Sequence, residues 1–244
     1  MRRLFPLLVI FVILFSGCSG FGRKYSVAID PSFYPSNLGG QSDSVYGFTV
    51  DLLKEISDSE GIRISYINAG SESLLNGLQR NIFDAVITPK SNVAIESNIY
   101  SVSKNYFPTG PVLVAPVKSK LSSLANMQGK IVGVVGLSDA EYFVQKYSKV
   151  LILTYMNPAL VLEALKYNLV DTALLDVMVA KAFVTNLYNG TFEIVSKPLT
   201  DEGLYLVTMV NQHPGLIEAF NRGVKRAKRK GVYKELMIKW NINP

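Results

Sequence analysis

Residues 62–88, IRISYINAGSESLLNGLQRNIFDAVIT, contain the pattern that decides the fold. The stretch begins with a short β-type run, Ile62–Ile67, and ends with a second run, Phe83–Thr88, which is apolar almost throughout. Between the two, leucines recur at helical spacing after Ser71, which we expect to cap a helix. A strand, a helix and a second strand in this order form a βαβ unit, whose parallel strands are covered by helices.

The same alternation continues in both directions along the chain. Upstream, Tyr25–Ile29 is typical of a strand, and Phe48–Ser57 is typical of a helix that starts after a turn at Gly47. Downstream, the pattern restarts and predicts a second α/β lobe. The elements predicted there are strands at Lys130–Val135, Val150–Thr154 and Thr172–Leu175, and helices at Ser138–Tyr147, Pro158–Tyr167 and Val177–Leu187. After a polar connector, a further strand is predicted at Leu204–Val210.

Composition excludes several classes of protein. The chain has 244 residues, of which 48% are hydrophobic and 18% charged, so it is long and apolar enough for one or two globular domains. Cys18 is the one cysteine and His213 the one histidine. These counts exclude zinc sites built from several Cys and His ligands, and disulfide frameworks. We expect neither a metal nor a cofactor.

The amino terminus has the form of a secretory signal peptide. Two arginines precede the apolar run Leu4–Phe15, which is too short to span a bilayer, since a spanning helix needs about 20 apolar residues. Small residues then lead to Cys18, in an arrangement that resembles a bacterial lipobox. We expect residues 1–17 to be removed, Cys18 to carry the lipid, and residues 18–24 to form a tether. An ordinary signal peptide with an incidental cysteine is the alternative.

A cluster of positive charge lies near the carboxyl terminus. The run Lys225–Lys230 supplies five cations to a chain whose net charge is +6. A nucleic-acid patch has a similar composition, but cations also suit the last turn of a solvated helix. The export signal favours the second interpretation, so we expect no nucleic-acid partner.

Six short motifs are distributed over the chain from Tyr25 to the carboxyl terminus. They are Asp30-Pro-Ser-Phe-Tyr-Pro35, Gly47-Phe-x-Val-Asp-Leu52, Leu78-x-x-Asn-x-Phe-Asp-Ala85, Tyr106-Phe-x-Thr-Gly110, Gly129-Lys-x-Val-Gly-Val134 and Gly231-Val-Tyr-Lys-Glu235 with Lys239-Trp240. Each is weak alone, but the ordered set resembles the bacterial extracellular solute-binding proteins, family 3, which serve polar amino-acid ABC importers.

This resemblance implies a type II fold like that of the periplasmic binding proteins, with two α/β lobes joined by two crossing strands. Residues 25–109 and 200–244 would form lobe one, and residues 110–199 would form lobe two. The lobes would close around the solute, with hinges near Thr109–Pro111 and Thr200–Gly203. Binding would involve neither catalysis nor a metal.

The resemblance also implies roles for individual residues of the first lobe. Phe33 matches an aromatic residue that stacks on the solute, although a core phenylalanine is the alternative. Asp30 matches an acid that meets cationic side chains, or else it is a turn residue before a proline. Thr88 and Ser91 match residues after the third strand whose hydroxyl and carbonyl groups bind the solute. The alternative is that they only stabilise the turn around Pro89.

In the second lobe, the resemblance implies two further binding residues. Asp176 matches the aspartate that holds the solute's ammonium group, and a plain helix cap is the alternative. Ser138 matches a hydroxyl at a helix start, where an anion meets free N–H groups. Its loop is one residue shorter than the family's, and Leu137 replaces a hydroxyl residue.

Glu96 is the main departure from the family pattern. Counting without gaps, it falls where the family has the arginine that grips the solute's α-carboxylate. A glutamate at about 4 Å from that carboxylate adds up to ~4 kcal/mol of repulsion at an effective dielectric constant of 20. Three alternatives follow. Lys90 or Lys104 replaces the arginine, or Glu96 faces solvent. In the third alternative the solute has no free carboxylate, and it binds in a carboxylate-rich cleft formed by Asp30, Glu96 and Asp176.

The sequence therefore predicts a lipid-anchored, extracytoplasmic binding component of an ABC importer for a small polar, amino-acid-like solute. Its partners would be the solute, the permease with its ATPase, and the membrane through the lipid. Two rivals remain. One is an enzyme of the same fold that dehydrates prephenate or arogenate, with Glu96 as general acid. The other is a surface lipoprotein used for adhesion or sensing.

Overall fold

The computed structural model describes residues 23–33, 38–89 and 98–242. In these ranges the helices are α1 (Ser42–Glu60), α2 (Ser71–Gln79), α3 (Asp139–Val144), α4 (Pro158–Lys166), α5 (Val177–Asn186), α6 (Pro214–Lys230) and α7 (Val232–Lys239). The strands are β1 (Lys24–Ile29), β2 (Arg63–Asn68), β3 (Ala85–Pro89), β4 (Tyr100–Val102), β5 (Phe107–Pro108), β6 (Pro111–Pro116), β7 (Ile131–Val135), β8 (Leu151–Tyr155), β9 (Thr172–Asp176), β10 (Phe192–Ile194) and β11 (Gly203–Met209). The predicted signal peptide and Cys18 lie outside the described residues, as do Lys90, Ser91 and Glu96.

The first sheet has the strand order β2-β1-β3-β11-β4, with β5 beside the start of β11. Strand β1 pairs in parallel with both β2 and β3, which confirms the βαβ units predicted from residues 62–88. Strand β11 returns from the far end of the chain and lies antiparallel to β3. The sheet is therefore mixed, because its last strands come from a separate part of the chain.

The second sheet has the order β10-β6-β9-β7-β8. Its centre is parallel, since β7 pairs in parallel with β8 and β9, while β6 is antiparallel to β9. The two sheets with their covering helices form two α/β lobes. This arrangement confirms the predicted fold class.

Helix α1 begins earlier than the sequence predicted. It starts at Ser42 and contains Gly47, so the predicted turn at that glycine is wrong. The glycine is needed because Trp240 packs on it: a Cβ there would lie 2.2 Å from the indole ring. One turn later, Asp51 accepts hydrogen bonds from the Trp240 indole N–H at 2.8 Å and from the Lys239 ammonium at 2.7 Å. The motif that begins at Gly47 and the motif that ends at Lys239-Trp240 are therefore in contact in the folded protein.

Helix capping was predicted correctly at two positions and wrongly at one. Asn157 accepts a hydrogen bond from the N–H of Leu160 and caps α4, and Ser138 caps α3. Ser71, however, is the first helical residue of α2, and Gly70 precedes it without a side-chain bond. The helix is held instead by the burial of Leu74 and Leu78.

The hydrophobic core runs continuously from one lobe into the other. Ile29 and Phe107 of the first sheet belong to the same buried cluster as Val112 and Met178 from the second lobe. Near this junction the two connecting segments touch each other. The N–H of Leu199 donates to the carbonyl of Pro111 at 2.8 Å, and Gly203 pairs with Pro108. The lobes are thus joined by a doubly connected, packed junction.

Candidate ligand-binding site

A cavity of about 300 Å³ lies at the carboxyl ends of β7 and β9 in the second lobe. Its wall also includes the first turns of three helices, α3, α4 and α5. An open α/β sheet places ligands at this edge, and the N–H groups of helix starts create a positive field there. The lining residues are Val135, Ser138, Ala140, Pro158, Leu174, Leu175, Asp176 and Val179.

Asp176 ends β9 and immediately precedes α5. Its side chain makes no capping hydrogen bond to the helix. Asp176 thus occupies the N-cap position without a side-chain cap, and it is one of the residues that line the cavity.

Ser138 lines the same cavity, but its hydroxyl is engaged by the fold. It donates to the carbonyl of Val135 at 2.7 Å and accepts from the N–H of Glu141 at 3.2 Å. The Glu141 carboxylate accepts in turn from the N–H of Leu137 at 2.6 Å. The start of α3 is thus capped by its own residues. Ser138 and Asp176 are the two predicted residues that the structure brings to one cavity.

The predicted first-lobe residues Asp30 and Thr88 lie at the carboxyl ends of strands of the first sheet, and neither lines the second-lobe cavity. Ile29 pairs with Ile87, so Asp30 and Thr88 follow side by side at the carboxyl ends of β1 and β3. Asp30 is buried, and one of its oxygens accepts from the N–H of Ser32 at 2.9 Å and from the Ser32 hydroxyl at 2.7 Å. This geometry is that of the turn residue, which was the alternative to a ligand contact.

Phe33 belongs to the core in this structure. Its side chain is 0% exposed, and its backbone has a positive φ of 51° after the Asp30 turn. The geometry favours the alternative of a core phenylalanine over a ring that stacks on a solute. Thr88 is also wholly buried in β3, where it pairs with Tyr205 of β11.

Of the two lysines considered as substitutes for the family arginine, only Lys104 is described. It is exposed, and its backbone N–H donates to the side chain of Asn221 in α6 at 2.8 Å. It is not among the residues that line the cavity at Asp176. The predicted contributions of Ser91, Glu96 and Lys90 concern residues outside the described ranges.

Sequence reasoning missed Glu202, which lies in the second connecting segment just before β11. Burial raises the pKa of this carboxyl group, and the charges of Asp139 and Asp176 raise it further, while Lys146 lowers it. Three carboxylates, from α3, the end of β9 and the connector, are therefore close enough to interact electrostatically. No signal in the sequence marked Glu202, because its neighbours are about 26 and 63 residues away along the chain.

The carboxylates are not arranged as a metal site. Within residues 23–33, 38–89 and 98–242, no group of three His, Cys, Asp or Glu side chains is placed to hold a metal ion. In the same ranges, no helix combines the length and apolarity that crossing a bilayer requires.

The lobes also touch across the cleft. Gly39, from the loop before α1, lies against α5, where a Cβ on the glycine would be 3.6 Å from Val179. Val179 lines the cavity that contains Asp176. The first lobe therefore reaches the wall of the second-lobe cavity, as expected of a solute-binding protein with two lobes.

Comparison with known proteins agrees with the class of two-lobed solute-binding proteins. The sequence profile of the bacterial extracellular solute-binding proteins, family 3, matches residues 25–243. The chain belongs to this family, which confirms the resemblance stated from its motifs.

Several curated relatives match over nearly their full length. A probable histidine-binding protein of Campylobacter jejuni is 25% identical over 220 residues, which cover 88% of this chain and 84% of the relative. The ABC transporter arginine-binding protein 1 of Escherichia coli is 20% identical and is covered to 90%. These relatives are binding proteins, which confirms the prediction that the chain is not an enzyme.

Solved structures support the fold. The second substrate-binding domain of a putative amino-acid ABC transporter from Streptococcus pneumoniae matches with a TM-score of 0.62 and 22% identity, over 88% of this chain and 99% of that domain. The L-cystine solute receptor of Neisseria gonorrhoeae matches with a TM-score of 0.63 and 18% identity, over 89% of this chain and 92% of the receptor.

Proposed function

We propose that the chain is the lipid-anchored, extracytoplasmic solute-binding component of an ABC importer, and that its solute is a small amino-acid-like molecule with a positive charge. The observation that supports a positively charged solute is that Asp176 lines the second-lobe cavity and lies close enough to Glu202 to raise its pKa, as Asp139 does. Histidine- and arginine-binding proteins among the relatives support the same class of solute.

Three carboxylates that repel one another are stabilised when a cation enters between them, and at an effective dielectric constant of 20 a pair at 4 Å gains about 4 kcal/mol. A micromolar complex has a total binding free energy of about −8 kcal/mol. One favourable pair of this kind is therefore enough to distinguish a cationic solute from a neutral one.

Closure of the two lobes is the second part of the proposal. We place the boundaries at 109/110 and 199/200, with residues 25–109 and 200–244 in lobe one and residues 110–199 in lobe two. The hydrogen bond between Leu199 and Pro111, and the pairing of Gly203 with Pro108, support these positions, because both contacts tie one connecting segment to the other. Rotation about two short adjacent segments is a hinge motion.

The anchor and the partners complete the proposal. Lipid on Cys18, followed by a tether that ends at residue 24, would hold the lobes near the membrane that contains the permease. The permease and its ATPase would then take the solute from the closed form. Lipidation rests on the sequence around Cys18 alone.

Calorimetry on the mature protein tests the solute class. The panel contains histidine, arginine and lysine, neutral and acidic amino acids, amino-acid amides and a polyamine. We expect binding of a cationic member, and we expect Asp176→Asn to cost 2–5 kcal/mol, or about 30-fold or more in affinity. Asp58→Asn, at an exposed position of α1, is the matched control and should leave the affinity unchanged.

A panel in which only acidic or neutral members bind, with no effect of Asp176→Asn, would rule out the proposed solute class. Small-angle scattering tests closure independently: the radius of gyration should fall at saturation with the solute identified. An unchanged radius, in a protein whose apo form is shown to be open, would rule out the hinge motion.

A further inference from the structure

A second cavity lies on the other side of α5, at the junction of the two lobes. Its volume is about 330 Å³, equivalent to about eleven water molecules. The wall is formed by both lobes: Phe107 and Met237 contribute from the first, and Val112 and Met178 from the second. These four side chains are buried and apolar. We call this space the hinge cavity.

Two lysines border the otherwise apolar hinge cavity, Lys181 of α5 and Lys228 of α6. The Lys228 ammonium lies 4.7 Å from the ring centroid of Tyr233, which also lines the cavity. Burial lowers the pKa of both lysines. No aspartate or glutamate is among the residues that line this cavity. The charged side chains that line the hinge cavity are therefore both positive, and most of the other lining residues are apolar.

We propose that the hinge cavity binds a small soluble organic carboxylate with an apolar tail, and that this ligand regulates lobe closure. The tail would occupy the space between Phe107 and Met178, and the carboxylate would lie at the two lysines. Apolar walls with a few convergent charged groups are the usual construction of a small-molecule site. The size suits a tail of about six to eight carbons.

Helix α5 gives the physical link to the solute site. Asp176 and Val179 line the solute cavity, whereas Met178 and Lys181 line the hinge cavity. The two residues of each pair are three positions apart, so α5, with Asp176 directly before its first residue, presents one side to each cavity. A ligand that fixes the hinge cavity in this arrangement fixes the relative position of the lobes as well. Because the proposed function makes solute binding depend on lobe closure, this ligand would change the affinity for the solute, and the solute would change the affinity for this ligand by the same factor.

Calorimetry with octanoate tests the site directly. We expect saturable binding with a stoichiometry of one, and at least tenfold weaker binding for both octanol, which lacks the charge, and acetate, which lacks the tail. Lys181→Met and Lys228→Met should each weaken octanoate binding at least fivefold. Lys225→Met is the matched control, because it removes an exposed lysine of α6 that does not line the cavity.

Two results would overturn the proposal. One is equal binding of octanol and octanoate, or non-saturable binding, since the lysines would then have no role. The other is an equal loss in Lys225→Met and in the two cavity variants, since the effect would then be one of overall charge. Circular dichroism of each variant confirms that it is folded before binding is compared.

The test also separates this proposal from the proposed function. Asp176→Asn should bind octanoate as the wild type does, because Asp176 does not line the hinge cavity. If no amino-acid-like solute binds, the octanoate result would therefore still be valid. Coupling is measured by repeating the solute titration at saturating octanoate: a change of at least threefold supports regulation, and an unchanged affinity overturns that part of the proposal.

Discussion

The backbone N–H of Thr109 donates a hydrogen bond of 3.0 Å to the carbonyl of Glu202. This bond joins the two segments that connect the lobes, at the residue whose carboxylate also interacts with Asp139 and Asp176. Glu202 therefore links the junction electrostatically to Asp176, which lines the candidate solute cavity. A change at the connecting segments should affect both the stability of the protein and its binding.

Gly110→Ala should destabilise the protein. A Cβ at this position would lie 2.3 Å from the Thr200 hydroxyl oxygen and 3.2 Å from the Thr200 carbonyl oxygen, so the Thr200 side chain would have to rotate and the two connecting segments would have to shift slightly. Overpacking of this kind costs about 1–3 kcal/mol, and the melting temperature of a chain of this size falls by about 2–4 °C per kcal/mol. Differential scanning calorimetry measures the change.

The double variant Gly110→Ala/Thr200→Ala should recover part of the lost stability, because it removes the hydroxyl oxygen. Gly215→Ala is the control, since no atom lies within 4 Å of a Cβ there. A melting temperature that is unchanged in Gly110→Ala would contradict the close approach of the two segments.

Glu202→Gln should raise the melting temperature at pH 7. The pKa of Glu202 is raised in the folded protein, chiefly by burial and then by Asp139. The folded state therefore holds the proton more tightly than the unfolded state, and ionisation of Glu202 destabilises the fold as the pH rises through the raised pKa. The difference between variant and wild type should disappear at a pH below the ordinary pKa of a glutamate.

Glu163→Gln, at an exposed position of α4, serves as the control for this pH series and should follow the wild type. Melting curves between pH 4 and pH 8 give the comparison. A Glu202→Gln variant that is less stable than the wild type at pH 7 would mean that the carboxylate makes a stabilising contact instead.

Cys18→Ser should release the protein from the membrane fraction or leave its signal peptide uncleaved. In the proposed anchor the thiol accepts the lipid, and a serine hydroxyl would not replace it. Fractionation of cells and labelling with palmitate measure the effect, with Ser19→Ala as the neighbouring control. Unchanged labelling and membrane retention in Cys18→Ser would exclude the anchor.

Glu96→Arg should gain affinity for neutral free amino acids and lose affinity for a cationic solute. An arginine pairs with a carboxylate through two parallel hydrogen bonds, which a glutamate cannot form. Glu96→Gln is the matched control, because it removes the charge without adding the guanidinium group. Equal titration curves for wild type, Glu96→Arg and Glu96→Gln would show that the side chain faces solvent.

The parts of the fold that depend on local pattern were predictable from the sequence. The apolar run of β3 and the Asn157-Pro158 start of α4 both gave the correct element, because burial and capping leave a local mark. The start of α1 was not predictable, because Gly47 resembles a turn residue until Trp240, almost 200 residues later, is known to pack on it.

The candidate site was predictable only in its second lobe. Asp176 and Ser138 were found because each follows a strand and precedes a helix, an arrangement that is visible in the sequence. Phe33 and Asp30 were ambiguous, since a turn and a binding loop use the same residue types. Glu202 was missed because its proximity to Asp139 and Asp176 is a tertiary relationship, which no local pattern in the sequence records.

The affinities of arginine and citrulline, measured by calorimetry under identical conditions, test the central claim most directly. The two molecules have nearly the same shape, and only arginine carries a charge on its side chain. The carboxylates of Asp139, Asp176 and Glu202 predict at least tenfold tighter binding of arginine, and a loss of that preference in Asp176→Asn. Equal binding of both molecules, tighter binding of citrulline, or no measurable binding of arginine would contradict a site built for a cationic amino acid.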